Sequence, residues 1–174
     1  MSDDIARVVA IRTARPQAWI GVDANQGYDI RTLAELLPVL VQTRVAQLEQ
    51  PLKRGREADL DGFKRPLPFV ADESAVSLAD TETLVGRFDV VNIKLDKCGG
   101  LTEGLAIARQ ARLLGLDVMV GNMMGTSLSM APSFILGQLC DIVDLDGPTF
   151  LARDRVPGVV YRGGMIHCPA EIWG

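Results

Sequence analysis

The chain has 174 residues, 48% of them hydrophobic, with a formal net charge of -4, a mean hydropathy of +0.17 and a pI near 5.0. This is enough apolar material for one cored domain and too much for a disordered chain. The acidic balance, with no basic cluster, gives no electrostatic footprint for nucleic acid or an anionic membrane, so the expected partner is a small molecule.

No apolar run approaches the ~20 residues of a membrane span, and Met1-Ser2-Asp3-Asp4 lacks the basic and apolar regions of a signal peptide, so a cytoplasmic protein is expected. Cys98, Cys140 and Cys168 are odd in number and widely spaced, which argues against a disulfide framework or a zinc site and predicts three buried thiols.

Helix and strand periods alternate along the chain. Ile5, Val8, Val9 and Arg12 have helical spacing after Asp3-Asp4, and Ala18-Trp19-Ile20-Gly21-Val22 reads as a strand ending at Asp23. Asp29 is placed to cap a helix through Leu33, Leu36, Leu37 and Leu40, with Pro38 expected to bend it. A second strand, Val45-Ala46-Gln47-Leu48, ends at Glu49 before the Gln50-Pro51 stop. A weak short helix around 57–63 precedes a third strand, Pro68-Phe69-Val70-Ala71, ending at Asp72.

Ser77 or Asp80 opens a helix to Arg87, and Val90-Val91-Asn92-Ile93 leads to Lys94. After Gly99-Gly100, the positions Leu101, Leu105, Ala108, Ala111 and Leu114 predict an amphipathic helix closed by Gly115. Residues 117–121 read as a strand, 127–139 as a helix despite Pro132, and 142–146 as a sixth strand. In the tail, Gly163-Gly164 separates Val159-Val160-Tyr161 from Met165-Ile166-His167, a hairpin signature outside the alternation.

Asp23, Glu49, Asp72 and Lys94 fall 26, 23 and 22 residues apart, each closing a strand-like run. That period is about one βα unit, and polar groups at the carboxyl ends of successive parallel strands converge on one face. Converging carboxylates repel one another unless a cation sits among them. Three oxygen donors without nearby His or Cys suit Mg²⁺ better than Zn²⁺, and a metal beside a lysine points to carbanion chemistry.

Singly, each residue has a plainer reading: Asp23 as a turn former, Glu49 as a solvated side chain, Asp72 as a helix cap, Lys94 as a surface lysine. Turn chemistry gives no reason for their joint register. Asp144 and Asp146, two apart on the sixth strand, are expected to share a face, although Asp146 beside Gly147-Pro148 also reads as a turn start. His167 reads as structural, and Met123-Met124 as either pocket lining or core packing.

Five motifs in order resemble those of the enolase superfamily: Asp23-Ala24-Asn25-Gln26-Gly27-Tyr28, Glu49-Gln50-Pro51, Ala71-Asp72-Glu73-Ser74, Asn92-Ile93-Lys94-Leu95-Asp96-Lys97 with Gly99-Gly100, and Asp144-Leu145-Asp146-Gly147-Pro148. Within it the chain is most similar to the dipeptide (L-Ala-D/L-Glu) epimerases. The resemblance implies a partial TIM (β/α) barrel over residues 1–152, about strands 3 to 8, and a C-terminal hairpin over 153–174 that would contact a capping domain. It implies Asp23, Glu49 and Asp72 as Mg²⁺ ligands, Lys94 in preference to Lys97 as the acid/base, and Asp144 with Asp146 as the partners of a substrate α-ammonium.

The implied activity is Mg²⁺-dependent removal and return of the α-proton of a dipeptide carboxylate, in a homo-oligomer when full-length. The family's cap and first two strands, with a Lys-x-Lys motif carrying the opposing acid/base, have no counterpart in the motifs found. A fragment, a truncated gene product and one part of a split protein are all open readings. A muconate cycloisomerase or o-succinylbenzoate synthase-like enzyme, or a catalytically incompetent metal-binding fragment needing a partner chain, are the alternatives.

Overall fold

The alternating periods of the sequence fold as an α/β chain, and the structure, a computed structural model, describes residues 2–174. It comprises two units, one running through Ser74 with Thr83–Val90 and the other made of Ala75–Glu82 with Val91–Gly174.

In the first unit, α1 (Ser2–Ala14) starts on Asp3 and Asp4, whose charges suit a helix N-terminus, and ends near Arg12. Arg12 leaves the helix to donate to the carbonyls of Thr43 (2.7 Å) and Ala18 (2.8 Å), tying the chain around the first strand. That strand, β1 (Gly21–Asp23), is followed by α2 (Ile30–Gln42). Asp29 caps α2 by accepting from the Thr32 N–H at 2.8 Å, and the helix continues through Pro38 while burying Leu33, Leu36, Leu37 and Leu40.

Next come β2 (Gln47–Glu49) and β3 (Phe69–Ala71), both wholly buried. The stretch expected as a weak helix at 57–63 is a single 3₁₀ turn over Glu57–Leu60. The three strands lie in the order β1-β2-β3 and run parallel, with Asp23 opposite Glu49 and Glu49 opposite Val70. Asp89 closes this unit by accepting from the Phe69 N–H at 2.8 Å, while its own N–H donates to the Phe69 carbonyl at 2.9 Å.

The helix expected from Ser77 or Asp80 to Arg87 is shorter. A capping box joins Ser77 to Asp80 around a 3₁₀ turn, and only α3 (Thr81–Leu84) follows. It stops there because Arg87 and Phe88 both donate back to the Leu84 carbonyl and Gly86 takes a φ of +79°, turning the chain.

Apart from its first residue, β4 (Val90–Lys94) belongs to the second unit and runs directly into α4 (Leu95–Cys98), then α5 (Leu101–Leu113), β5 (Asp117–Gly121), α6 (Ser127–Gly137) and β6 (Ile142–Asp144). β5 and β6 are parallel, with Gly121 opposite Asp144. The buried stripe of α5 is Gly104, Ile107, Ala108 and Ala111, whereas Leu105 is exposed. The shift has a steric cause: a Cβ at Gly104 would stand 2.5 Å from a Leu95 methyl, so this helix packs through small residues.

The expected hairpin forms β7 (Val160–Arg162) and β8 (Met165–His167), antiparallel, with Gly163 and Gly164 both at positive φ as a tight two-residue turn needs. Ser127, the first residue of α6, anchors the approach to it by donating to Asp154 and accepting from the Val159 N–H at 2.9 Å. Cys98, Cys140 and Cys168 are free and half-buried rather than buried, because each lies at the margin of an element. No described helix is long and apolar enough to cross a membrane.

Leu48 stands at the centre of β2 with no exposed surface, paired with the equally buried Phe69. Leu48→Ala is expected to lower stability by about 2–5 kcal/mol, seen as a fall in the urea midpoint with little change in slope.

Candidate active site

Parallel pairing sets the side chains of directly opposed residues on the same face of a sheet, and alternation returns every second residue to that face. Asp23 and Glu49 are opposed, as are Glu49 and Val70, and Asp72 lies two residues beyond Val70. The first unit therefore sets Asp23 and Glu49 on one face at the carboxyl ends of β1 and β2, with Asp72 immediately past the end of β3. Asp23 is exposed, while Glu49 and Asp72 keep 7% and 4% of their surface. The Asp23 carboxylate accepts from the Asn25 N–H at 2.7 Å, which holds its backbone in a turn.

Asp23, Glu49 and Asp72 offer carboxylate oxygens, the donor type that suits a hard cation rather than a softer one. Among the described residues no three His, Cys, Asp or Glu groups stand close enough to chelate an ion. The backbone register supplies the donors, and the side chains are not gathered.

Behind them lies a polar network. Gln50, fully buried, accepts through its side-chain oxygen from the N–H groups of Asp72 (2.9 Å) and Ser74 (3.1 Å). The Ser74 hydroxyl donates to Glu57 at 2.6 Å. Burial works to raise the Glu57 carboxyl, but the Ser74 hydroxyl and the Gly55 N–H hold it below the usual carboxylate value.

In the second unit Lys94 is the last residue of β4 and the residue before α4, half-buried after a strand whose Val91, Asn92 and Ile93 are almost wholly enclosed. It lies over β5 at a position only glycine provides: a Cβ on Gly121 would come 3.0 Å from Lys94 Cε and 2.9 Å from the Asn92 side-chain oxygen. Lys97 turns back instead, its Nζ 3.5 Å from the Asn92 carbonyl. Asp96 accepts from the Met123 N–H at 3.3 Å, and Met123 and Met124 are exposed, so they are not core packing.

Strand β6 stops at Asp144, which corrects the expected strand through Asp146. Asp146 has helical backbone angles and precedes the 3₁₀ turn Gly147–Phe150, where Pro148 ends strand geometry. The exposure pattern still alternates, since Leu145 is 1% exposed between two exposed aspartates. Both border a cavity of about 300 Å³ shared with Tyr161, Arg162 and Met165.

Tyr161 donates to the Leu145 carbonyl at 2.5 Å, so β7 holds the peptide between the two aspartates. Burial, then the Asp146 and Asp154 carboxylates, push its phenol up to about 12. Neither Gln50 nor Tyr161 is singled out by sequence period. The sequence signal for Gln50 is its place between Glu49 and Pro51; for Tyr161 it is only a hairpin position.

Residues 1–171 match the family model described as Enolase C-terminal domain-like. The chain is 42% identical over 173 residues to an N-acetyl-D-glutamate racemase from Pseudoalteromonas sp., covering 99% of this chain and 55% of that protein. It is 45% identical over 161 residues to the L-Ala-D/L-Glu epimerase of Escherichia coli (strain K12), covering 92% and 50%. It thus spans about half the length of the curated relatives it matches.

Among solved structures, an enolase family member from Agrobacterium tumefaciens with homology to dipeptide epimerases, holding sodium and L-Ala-L-Glu, superposes with a TM-score of 0.93 at 44% identity, covering 97% of this chain and 52% of that one. A dipeptide epimerase from Methylococcus capsulatus, complexed with Mg and the dipeptide L-Arg-D-Lys, gives 0.89 at 31% identity, covering 95% and 50%.

The geometry predicts a late-titrating tyrosine. The folded chain keeps the Tyr161 proton where a free phenol, ionising near 10.0, loses it. The associated stability is complete below that pH and is lost as pH rises toward about 12. Absorbance at 295 nm should show a phenolate phase near 12 that Tyr161→Phe removes, leaving Tyr28 as the other tyrosine of the chain.

Proposed function

Since the chain belongs to the Enolase C-terminal domain-like family, we propose that it carries the Mg²⁺ and lysine portion of an epimerase that inverts the α-carbon of an N-acylated amino acid, a dipeptide such as L-Ala-D/L-Glu. One observation supports the reading: the β1-β2-β3 register, which sets Asp23 opposite Glu49 and brings the chain to Asp72 one residue past the end of β3. In this reading those three hold the ion through carboxylate oxygens. Bound Mg²⁺ supplies positive charge that offsets the negative charge developing on the substrate carboxylate as the α-proton leaves.

Lys94 takes that proton on its ε-nitrogen and returns one. Its half-buried place at the end of β4, with room kept by Gly121, supports the assignment, because a lysine there is shielded from bulk water and limited in its rotamers. Asp144 and Asp146 offer two carboxylates to a substrate ammonium, and Tyr161 restrains the peptide between them.

The two curated relatives favour one chemical class with two members. In L-Ala-D/L-Glu the glutamate nitrogen is acylated by alanine, and in N-acetylglutamate by acetate, so the reacting carbon has the same neighbours. They differ at the alanine ammonium, which only the aspartate pair would recognise. The dipeptide reading follows from the presence of that pair, and the N-acetyl reading from the likeness at 42% identity.

The test is α-proton exchange in ²H₂O followed by NMR with L-Ala-L-Glu and N-acetyl-L-glutamate. Exchange should require Mg²⁺ and fall about 100-fold or more in Lys94→Ala, the scale of a lost general base. Exchange that survives Lys94→Ala removes Lys94 from the mechanism. Exchange that appears only on addition of a polypeptide supplying an opposite-face base favours the metal-binding fragment reading. Asp144→Asn should raise the KM for the dipeptide by about tenfold, close to 1.4 kcal/mol, and leave N-acetylglutamate nearly unchanged. Equal effects on both substrates would remove the ammonium role.

A further inference from the structure

Gln50 has no exposed surface, and its backbone sits at φ +33°, in the left-handed region that residues with a Cβ rarely adopt. Its main-chain N–H donates to the Val70 carbonyl of β3 at 2.9 Å, and its carbonyl accepts at 2.8 Å from the Gln26 N–H, in the loop that follows Asp23. Its side-chain oxygen takes the Asp72 and Ser74 N–H groups, while its side-chain nitrogen donates to the Leu52 carbonyl at 2.9 Å and the Ser74 hydroxyl at 2.8 Å. Both lone pairs and both hydrogens of the amide are thereby used.

Gln50 follows Glu49 directly, so a single residue is bonded to all three segments that carry the carboxylates. The Ala24 N–H adds a further tie, donating to the Glu49 carbonyl at 2.9 Å. A backbone conformation this uncommon persists where its surroundings over-determine it, and here the surroundings are the amide's own four hydrogen bonds.

Resting on the reading of Asp23, Glu49 and Asp72 as metal ligands, we propose that Gln50 is the positioning residue of a divalent-cation site, setting the spacing of those three backbones so that the site selects Mg²⁺. Selection is where a spacer and a mere buttress differ. Mg²⁺ demands near-octahedral oxygens at about 2.0–2.1 Å, whereas Ca²⁺ accepts irregular shells at about 2.3–2.6 Å. A slackened set of carboxylates loses the small ion first. Ser74 belongs to the same device, since its hydroxyl receives one amide hydrogen and passes its own to Glu57.

Calorimetric titration of Mg²⁺ and, separately, Ca²⁺ into the unaltered chain, Gln50→Ala and Ser74→Ala tests this, with far-UV circular dichroism reporting the fold. The unaltered chain should bind Mg²⁺. Gln50→Ala should weaken Mg²⁺ about tenfold or more while Ca²⁺ weakens about threefold or less, narrowing the preference. Ser74→Ala, which leaves the amide contact to Asp72, should shift both in the same sense by a smaller factor, and it decides the matter if Gln50→Ala does not fold.

A folded variant with unchanged affinity and unchanged preference overturns the proposal, as does an equal loss for both ions, which marks general loosening. Failure of the unaltered chain to bind Mg²⁺ overturns the metal reading itself, an outcome distinct from a failure confined to the variants.

Discussion

Everything chemical in the first unit depends on the parallel register of three short strands. Leu48 and Phe69 are opposed and completely buried, and the next pair along, Glu49 and Val70, faces the other way. The core thus dictates where the acids go: a one-residue slip would carry Leu48 to the face of the acids and drive Glu49 into the apolar side. Packing energy, much larger than anything three carboxylates contribute, holds the acids in a row despite their repulsion. With strands only three residues long, little else in the ladder could fix the alignment.

The second unit solves a different problem, placing one long cation at the end of β4 and two anions at and just beyond the end of β6 with little bulk around them. Small residues recur where side chains must pass over a backbone. Gly121 leaves room for Lys94 and Asn92, and Gly104 lets α5 settle onto Leu95 directly behind Lys94. At Gly147 a Cβ would collide with the Asn122 side chain and the Met123 carbonyl, so the turn carrying Asp146 can fold against the end of β5. These glycines act through absent volume, which makes them invisible to any pattern of polar or apolar residues.

That difference explains what could be read from the sequence. Strand and helix order, the Asp29 cap, the hairpin and the spacing of Asp23, Glu49, Asp72 and Lys94 follow from local periodicity and turn chemistry, which are properties of neighbours in the chain. The helix expected to reach Arg87 ends at Leu84, because the turn at Gly86 outweighs moderate propensity. Leu105 was expected to be buried and is exposed because Gly104 permits closer packing on the adjacent face. The Gln50 and Tyr161 contacts join segments about 20 residues apart, and no period in the sequence encodes which donor meets which acceptor.

The tyrosine contact also bears on how such a chain can change. A surface hairpin with no ionisable group of its own in the chemistry grips the peptide between Asp144 and Asp146 through one hydroxyl. Substitutions in that hairpin can tilt the two acids while leaving the strands, the lysine and the carboxylate row untouched. If the two acids meet substrate as proposed, preference would drift through a peripheral, mutation-tolerant ribbon and leave no trace at Lys94.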